Sequence, residues 1–267
     1  MIRLTIKAEL PVRVGVETLI PERLANLSLA EIERLPLHVG NRRERLGDWF
    51  RVESSTGDAL VIAGAARRLD RIGAGMTQGK IIVDGDAGAY LGLGLAGGEI
   101  RVMGSVAFGA GTDMRDGKIH IASDAGDGVG GALPGATGGM RGGVVIVSGR
   151  AGARCGYRLR RGLVAVSGDT AEACGARMVA GTIVVGGSMG SSAGAAMRRG
   201  SIVGLGGFAH IGPTFGDCGA HELVVVRLLA QWLGELGLAA LAGRLGPMRR
   251  FLGDHANGGR GELLTPL

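Results

Sequence analysis

Gly79–Lys80–Ile81–Ile82–Val83–Asp84–Gly85 decides the fold, because the chain writes it seven times. Further copies begin at Gly98, Gly117, Gly143, Gly162, Gly181 and Gly200. The spacing is 19 residues at every step except Gly117 to Gly143, where it is 26. A looser copy, Leu60–Val61–Ile62–Ala63–Gly64, lies 21 residues before the matching part of the first. A fixed period near 20 residues marks a solenoid, in which one supersecondary unit stacks on copies of itself.

With the first glycine of each unit counted as zero, positions +2 and +4 hold Ile81/Val83, Ile100/Val102, Ile119/Ile121, Val145/Val147, Val164/Val166 and Ile183/Val185, then Ile202/Gly204. Apolar β-branched residues two apart predict a short strand with one face in a core. Glycine recurs at +6 and at +13, where a tight corner needs positive φ or close backbone approach. Position −3 is Met76, Leu95, Met114, Met140, Leu159, Met178 and Met197. Leucine alternates freely with methionine there, which reads as an inward ladder and not a soft-metal site. Cys155 and Cys174 share position +12 with Leu91, Ala110, Val129 and Ala193, so they read as neighbouring core rungs. Cys218 stands outside the repeat, with no metal-ligand spacing to either.

Position +3 faces away from the coil interior, yet Ile82, Ile146, Ala165, Val184 and Val203 are apolar there, beside Arg101 and His120. Either a later segment of the same chain covers this row or another protein does. Position −2 carries Arg115, Arg141, Arg160 and Arg198, with Arg161 and Arg199 one residue on and Arg158 and Arg177 two back. Coils stack about 4.8 Å apart, so these arginines crowd one edge. They form either a solvated basic edge or a seat for an anionic carrier or partner. The seven extra residues of the long unit fall within Gly131–Ala132–Leu133–Pro134–Gly135–Ala136–Thr137. Solenoid insertions collect on a functional face, although this loop offers no acid, base or ligand of its own.

The flanks do not repeat. Residues 1–56 are expected to form a small α+β cap. Ile2, Leu4 and Ile6 alternate as a strand, the capping box Ser28–Leu29–Ala30–Glu31 opens a short helix through about Leu35 that Pro36 ends, and Leu46–Val52 reads as a strand-like run. Residues 57–212 are the solenoid. In 213–267, His221 to about Leu245 has helical apolar spacing, and the tail from Pro247 is expected to be loose. This helix covers either the last coil or the apolar outer row.

Composition narrows the function. Glycine is 53 of 267 residues against an ordinary share near 7%, which the repeat explains. Net charge is +6, permitting an acidic partner. Aromatics are 3%, too few for stacking single-stranded nucleic acid. Charges at Arg3, Lys7 and Glu9 break any secretory core, no apolar run is long enough to span a membrane, and the cysteine pattern suits a reducing cytoplasm. No phosphate-loop or metal motif occurs. His210, Asp217, Cys218 and His221 form the one His/Asp/Cys cluster, at the end of the solenoid, where a cap or an active site are both conceivable readings. No catalytic residue, metal ligand or directly bound cofactor is assigned.

The unit Gly73–Ala74–Gly75–Met76 through Gly79–Lys80–Ile81–Ile82–Val83–Asp84–Gly85–Asp86–Ala87–Gly88 resembles the glycine-repeat domain of the glutamate synthase large subunit. It resembles the C subunit of formylmethanofuran dehydrogenase more closely. Val39–Gly40–Asn41 with Leu46–Gly47–Asp48–Trp49–Phe50–Arg51–Val52 looks like that subunit's pre-repeat segment, and Pro213–Thr214–Phe215 like its exit. The Ala- and Arg-rich composition favours the bacterial version, the C subunit of the formyltransferase/hydrolase complex of methylotrophs. The resemblance implies a mainly β fold, a right-handed parallel β-helix. It also implies a scaffold in a hetero-oligomer with amidohydrolase-like and formyltransferase sister subunits. In that family a formyl group passes from formyl-tetrahydromethanopterin to a methanofuran-type carrier and is hydrolysed to formate. Two other hypotheses stand beside this one: a glutamate-synthase-type β-helix linking ammonia-transfer subunits, and a free-standing enzyme built on His210, Asp217 and His221.

Overall fold

The computed structural model describes residues 2–54 and 56–267. Thirteen strands share one sheet. They are β1 (Ile2–Ile6), β2 (Phe50–Ser54), β3 (Ala59–Ala63), β4 (Lys80–Asp84), β5 (Ala96–Val102), β6 (Asp116–Ile121) and β7 (Arg141–Val147), followed by β8 (Arg161–Val166), β9 (Thr182–Val185), β10 (Arg199–Gly204), β11 (Gly216–His221), β12 (Met248–Gly253) and β13 (Arg260–Pro266). The order across the sheet is β11-β12-β13-β10-β9-β8-β7-β6-β5-β4-β3-β1-β2. From β3 to β10 every neighbour is parallel, one strand per repeat. Ile81, Ile100, Ile119, Val145, Val164, Ile183 and Ile202 stack in one column. All are fully buried, and a slip of one residue would turn the column out to solvent, so burial holds the register.

Each coil has further faces. Position +8 forms a second ladder of parallel bridges from Ala87 through Val106, Ala125, Ala151, Thr170 and Met189 to Phe208. At a third face the +13 amide donates to the +12 carbonyl of the previous coil, as Gly175 does to Cys155 at 2.7 Å. The fold is therefore a parallel β-helix closed around an apolar core. Its methionine ladder has a specific fit. A Cβ built on Gly143, Gly162 or Gly200 would lie 2.6, 2.7 or 2.6 Å from the Cε of Met114, Met140 or Met178 on the previous coil. The methionine of one rung fills the space left by the first glycine of the next. Cys155 and Cys174 are buried free thiols on adjacent rungs, as their shared position predicts. The hydrogen bond shared with Cys174, then burial, hold the Cys155 thiol well above the usual range. An aspartate ladder also runs along the stack, with Asp86, Asp124 and Asp169 Oδ1 accepting the amides of Ser105, Arg150 and Ser188 one coil on.

At the first end, the looser copy Leu60–Gly64 is a true rung, with Leu60 and Ile62 in register with Ile81 and Val83. Strand β1 adds parallel to it, and β2 closes the end antiparallel. Helix α1 (Pro21–Leu24) and helix α2 (Leu29–Glu33) lie beyond, α2 opened by the Ser28–Glu31 capping box. The run Leu46–Val52, expected to be a strand throughout, instead turns as helix α3 (Leu46–Trp49) before β2 begins. Asp48 accepts the Arg45 amide at 3.0 Å and Trp49 Nε1 donates to Glu44, so capping contacts override the β-propensity of the run.

At the other end the predicted helix is α4 (Val224–Glu235) with α5 (Ala239–Ala242), while His221 ends β11. These helices lie on the outer row. Ala165, Val184 and Val203 are fully buried with Val226, Leu233 and Leu241 in a second core. The chain thus covers its own late rungs, whereas Ile82 and His120 on early rungs are only half-buried. The tail after Pro247 is not loose. Strand β13 pairs parallel with β10, Gly261 opposite Gly200 and Leu263 opposite Ile202, and so supplies one more rung. Asp254, 6% exposed, pins it, taking the amides of Ala196 at 2.9 Å and Ala256 at 3.0 Å. Among the described residues no helix is long and apolar enough to cross a membrane.

Candidate functional site

The arginine edge divides into two halves. Its corner is the stretch between −4 and 0, where the chain turns left-handed before entering each strand. In the first half Asp113, at φ +52, accepts Arg141 Nε at 2.9 Å and lies 4.0 Å from Arg115. Arg115 and Arg141 are therefore partnered. In the second half Arg160 and Arg198 line a groove of about 520 Å³ with Arg158 and Arg177. Val179, Ala196, Thr137 and Asn257 complete the lining. Among the described residues, none of these four arginines forms an ion pair. The positive field registers on Tyr157. The hydrogen bond from Arg158 Nε, at 3.2 Å, outweighs the opposing effect of burial and, with the charges of Arg158, Arg177 and Arg154, holds the phenol below its usual range.

Two walls of the groove come from outside the repeat. Thr137 ends the insertion, and Asn257 belongs to the turn between β12 and β13. The rest of the insertion arches over an adjoining cavity of about 320 Å³, floored by Phe108, Arg154, Tyr157 and Arg158. The 26-residue interval pointed to the insertion. The tail wall was readable only through Arg260–Gly261–Glu262–Leu263–Leu264, which copies Arg199–Gly200–Ser201–Ile202–Val203 once more.

The His/Asp/Cys cluster does not converge. Asp217 is held by Arg249, with Nε at 3.0 Å; that hydrogen bond, then the Gly219 amide, keep its carboxyl below the usual range against a weak effect of burial. His221 Nε2 lies 2.9 Å from the Cys218 carbonyl of its own strand, β11, and His210 is exposed outside that strand. On the outer face, burial first, then Arg101 and Lys118, lower the His120 pKa; its Nε2 lies 3.1 Å from Ser148 Oγ. Among the described residues no three His, Cys, Asp or Glu side chains group for a metal ion.

The chain is thus a glycine-cornered parallel β-helix that carries a row of cations along one edge. No family model matches the chain. It is 42% identical to the C subunit of the formyltransferase/hydrolase complex Fhc of Methylorubrum extorquens, over the whole of both chains. It is 34% identical over 90 residues, 33% of each chain, to the C subunit of a tungsten-containing formylmethanofuran dehydrogenase of Methanococcus maripaludis. It also superposes, with a TM-score of 0.94, 41% identity and 99% of each chain covered, on a chain in the crystal structure of the Methylorubrum extorquens FhcABCD complex with methylofuran. The chain belongs to the family formed by the C subunits of formyltransferase/hydrolase complexes.

Proposed function

We propose that this chain is the scaffold subunit of a cytoplasmic formyltransferase/hydrolase complex and supplies no reacting group itself. In this reading the complex moves a formyl group from formyl-tetrahydromethanopterin to a methanofuran-type carrier and hydrolyses it to formate. Amidohydrolase-like and formyltransferase sister subunits hold the chemistry. The observation that carries the reading is the full-length match, in sequence and in coordinates, to one chain of a four-component complex. The scattered placement of His210, Asp217 and His221 supports it, since each serves a local turn or strand contact or stands alone. So does helix α4, where Val224, Val225, Leu228 and Trp232 remain 61, 53, 61 and 39% exposed, since apolar side chains exposed together mark a surface for another protein.

The test is a tagged purification from the source organism, with the co-purifying chains identified by mass spectrometry and formate release assayed. The expected result is co-purification with amidohydrolase-like and formyltransferase chains, formate release by the complex, and none by this chain alone. A chain that purifies by itself, or that releases formate unaided, would overturn the reading.

A further inference from the structure

We infer that the cap at the first end of the stack seats a lysine side chain of a sister subunit on Glu22. The choice of partner rests on the assembly reading above; the seat itself rests on the geometry of the cap. A cavity of about 660 Å³ opens between α1, α2 and the first rungs. Ile2, Leu24, Leu27 and Leu60 make its walls apolar, and Glu22 is the one charged residue among the described residues that line it. The two oxygens of that carboxylate are in different situations. Oε1 accepts the Thr77 amide at 2.8 Å and the Thr77 hydroxyl at 3.2 Å. Oε2 is closed off from solvent and has no hydrogen-bond partner among the described residues. A desolvated carboxylate oxygen left without a donor is costly, so the site is complete only when a donor comes in through the cavity.

The unpartnered oxygen selects the donor. A guanidinium binds a carboxylate best through both oxygens at once, and here Thr77 already holds one of them. An ammonium is a compact point charge that needs one oxygen, and its four-carbon stem lies well along apolar walls. Gln78, exposed on the same lining, offers a side-chain carbonyl to a second ammonium N–H. The cavity is the size of a small-ligand pocket and far wider than one side chain. Leu29, 39% exposed, extends its apolar lining outward. The lysine therefore arrives on a loop or helix end with apolar neighbours, not as a free amine.

The experiment treats the purified complex with a water-soluble carbodiimide, which joins a carboxylate to an amine in contact with it through an amide bond. Digestion and mass spectrometry then identify what is joined to Glu22. The expected product links Glu22 to a lysine of a sister subunit. A Glu22 joined to no other chain, or only to this chain's own Lys7, Lys80 or Lys118, would overturn the inference. Glu22→Gln is the second measurement. It keeps a side-chain carbonyl for Thr77 and removes the charge, so the melting temperature of the chain alone should stay the same. Sister chains retained through a salt wash should nevertheless fall roughly tenfold or more, as loss of one partner of a desolvated charge pair implies. Equal retention by Glu22→Gln and the unchanged chain would also overturn it. The two readings fail separately: a chain that purifies without sister subunits refutes both, whereas an intact complex with Glu22 unlinked refutes this one alone.

Discussion

Gly175→Ala tests the claim that the corner glycines exist to admit the core ladder of the next rungs. Gly175 sits at φ +67, and a Cβ there would lie 2.3 Å from Ile202 Cδ1, 3.2 Å from Ile202 Cγ1 and 3.3 Å from Ile183 Cδ1. In open space a terminal methyl would swing aside, but Ile202 is fully buried between Ile183 and Leu263. Two effects add. Alanine in the left-handed region costs about 1–2 kcal/mol, and overpacking a filled core about 1–3 kcal/mol, together roughly 2–5 kcal/mol. Gly94 is the control. It has φ +64 and nothing within 4 Å of a Cβ, so Gly94→Ala should show the backbone part alone, about 1–2 kcal/mol. Ile202→Val removes the clashing methyl at a cost of about 0.5–1.5 kcal/mol on its own. The double variant Gly175→Ala/Ile202→Val should then be less destabilised than the sum by about 1 kcal/mol or more. Denaturant midpoints of the four variants and the unchanged chain, with unchanged slopes, decide it. If Gly175→Ala is no worse than Gly94→Ala, or if the double variant is fully additive, the close approach of rung to corner is not what requires glycine.

Leu241→Ala, in the second core, should lose about 2–5 kcal/mol of helix docking and leave the coils intact; hydrogen exchange should speed up in α4 and α5 but not in β4–β9, and uniform acceleration would refute the separation of the two cores. Asp254 titrates below the usual carboxyl range: burial pushes it up, but hydrogen bonds from the Thr214 side chain, the Ala196 and Ala256 amides and Asn257 outweigh it. A depressed folded-state pKa gives stability that is full above the ordinary carboxyl value and is lost as pH falls through the folded one. Acid should therefore release β12 and β13, and Asp254→Asn should show fast exchange there already at neutral pH; a tail unmoved by both would sink the latch. A thiol reagent should label Cys218 alone in the native chain and all three cysteines after denaturation, counted by mass, since Cys155 and Cys174 are buried and Cys218 is exposed; native labelling of either core thiol would contradict the ladder.

The site was half legible. The −2 spacing brought out Arg160 and Arg198 together with Arg115 and Arg141, because a repeat of fixed length puts equal positions on one edge. It could not separate them: Asp113 lies two residues before Arg115 in the chain, yet it takes up Arg141 from the next coil, and a partner across coils has no signature in a one-dimensional spacing. The tail was misread because one rung, detached from the array by helices and a hairpin, carries too little periodicity to register as a repeat.

The sequence by itself determined the coil. Nineteen-residue spacing, alternating Ile and Val, and glycine at the corners allow one solution, since only in-register stacking buries every column at once. The tertiary structure decided what sits on the coil. Helix α4 lies over the late rungs and not at the end of the stack, Leu46–Trp49 turns as a helix, and β13 returns to extend the sheet beside β10. Those choices depend on which apolar surfaces meet after the chain has folded back from distant positions. Local propensity is blind to that, and it left a groove whose walls are drawn from an insertion, a tail and three coils of the repeat.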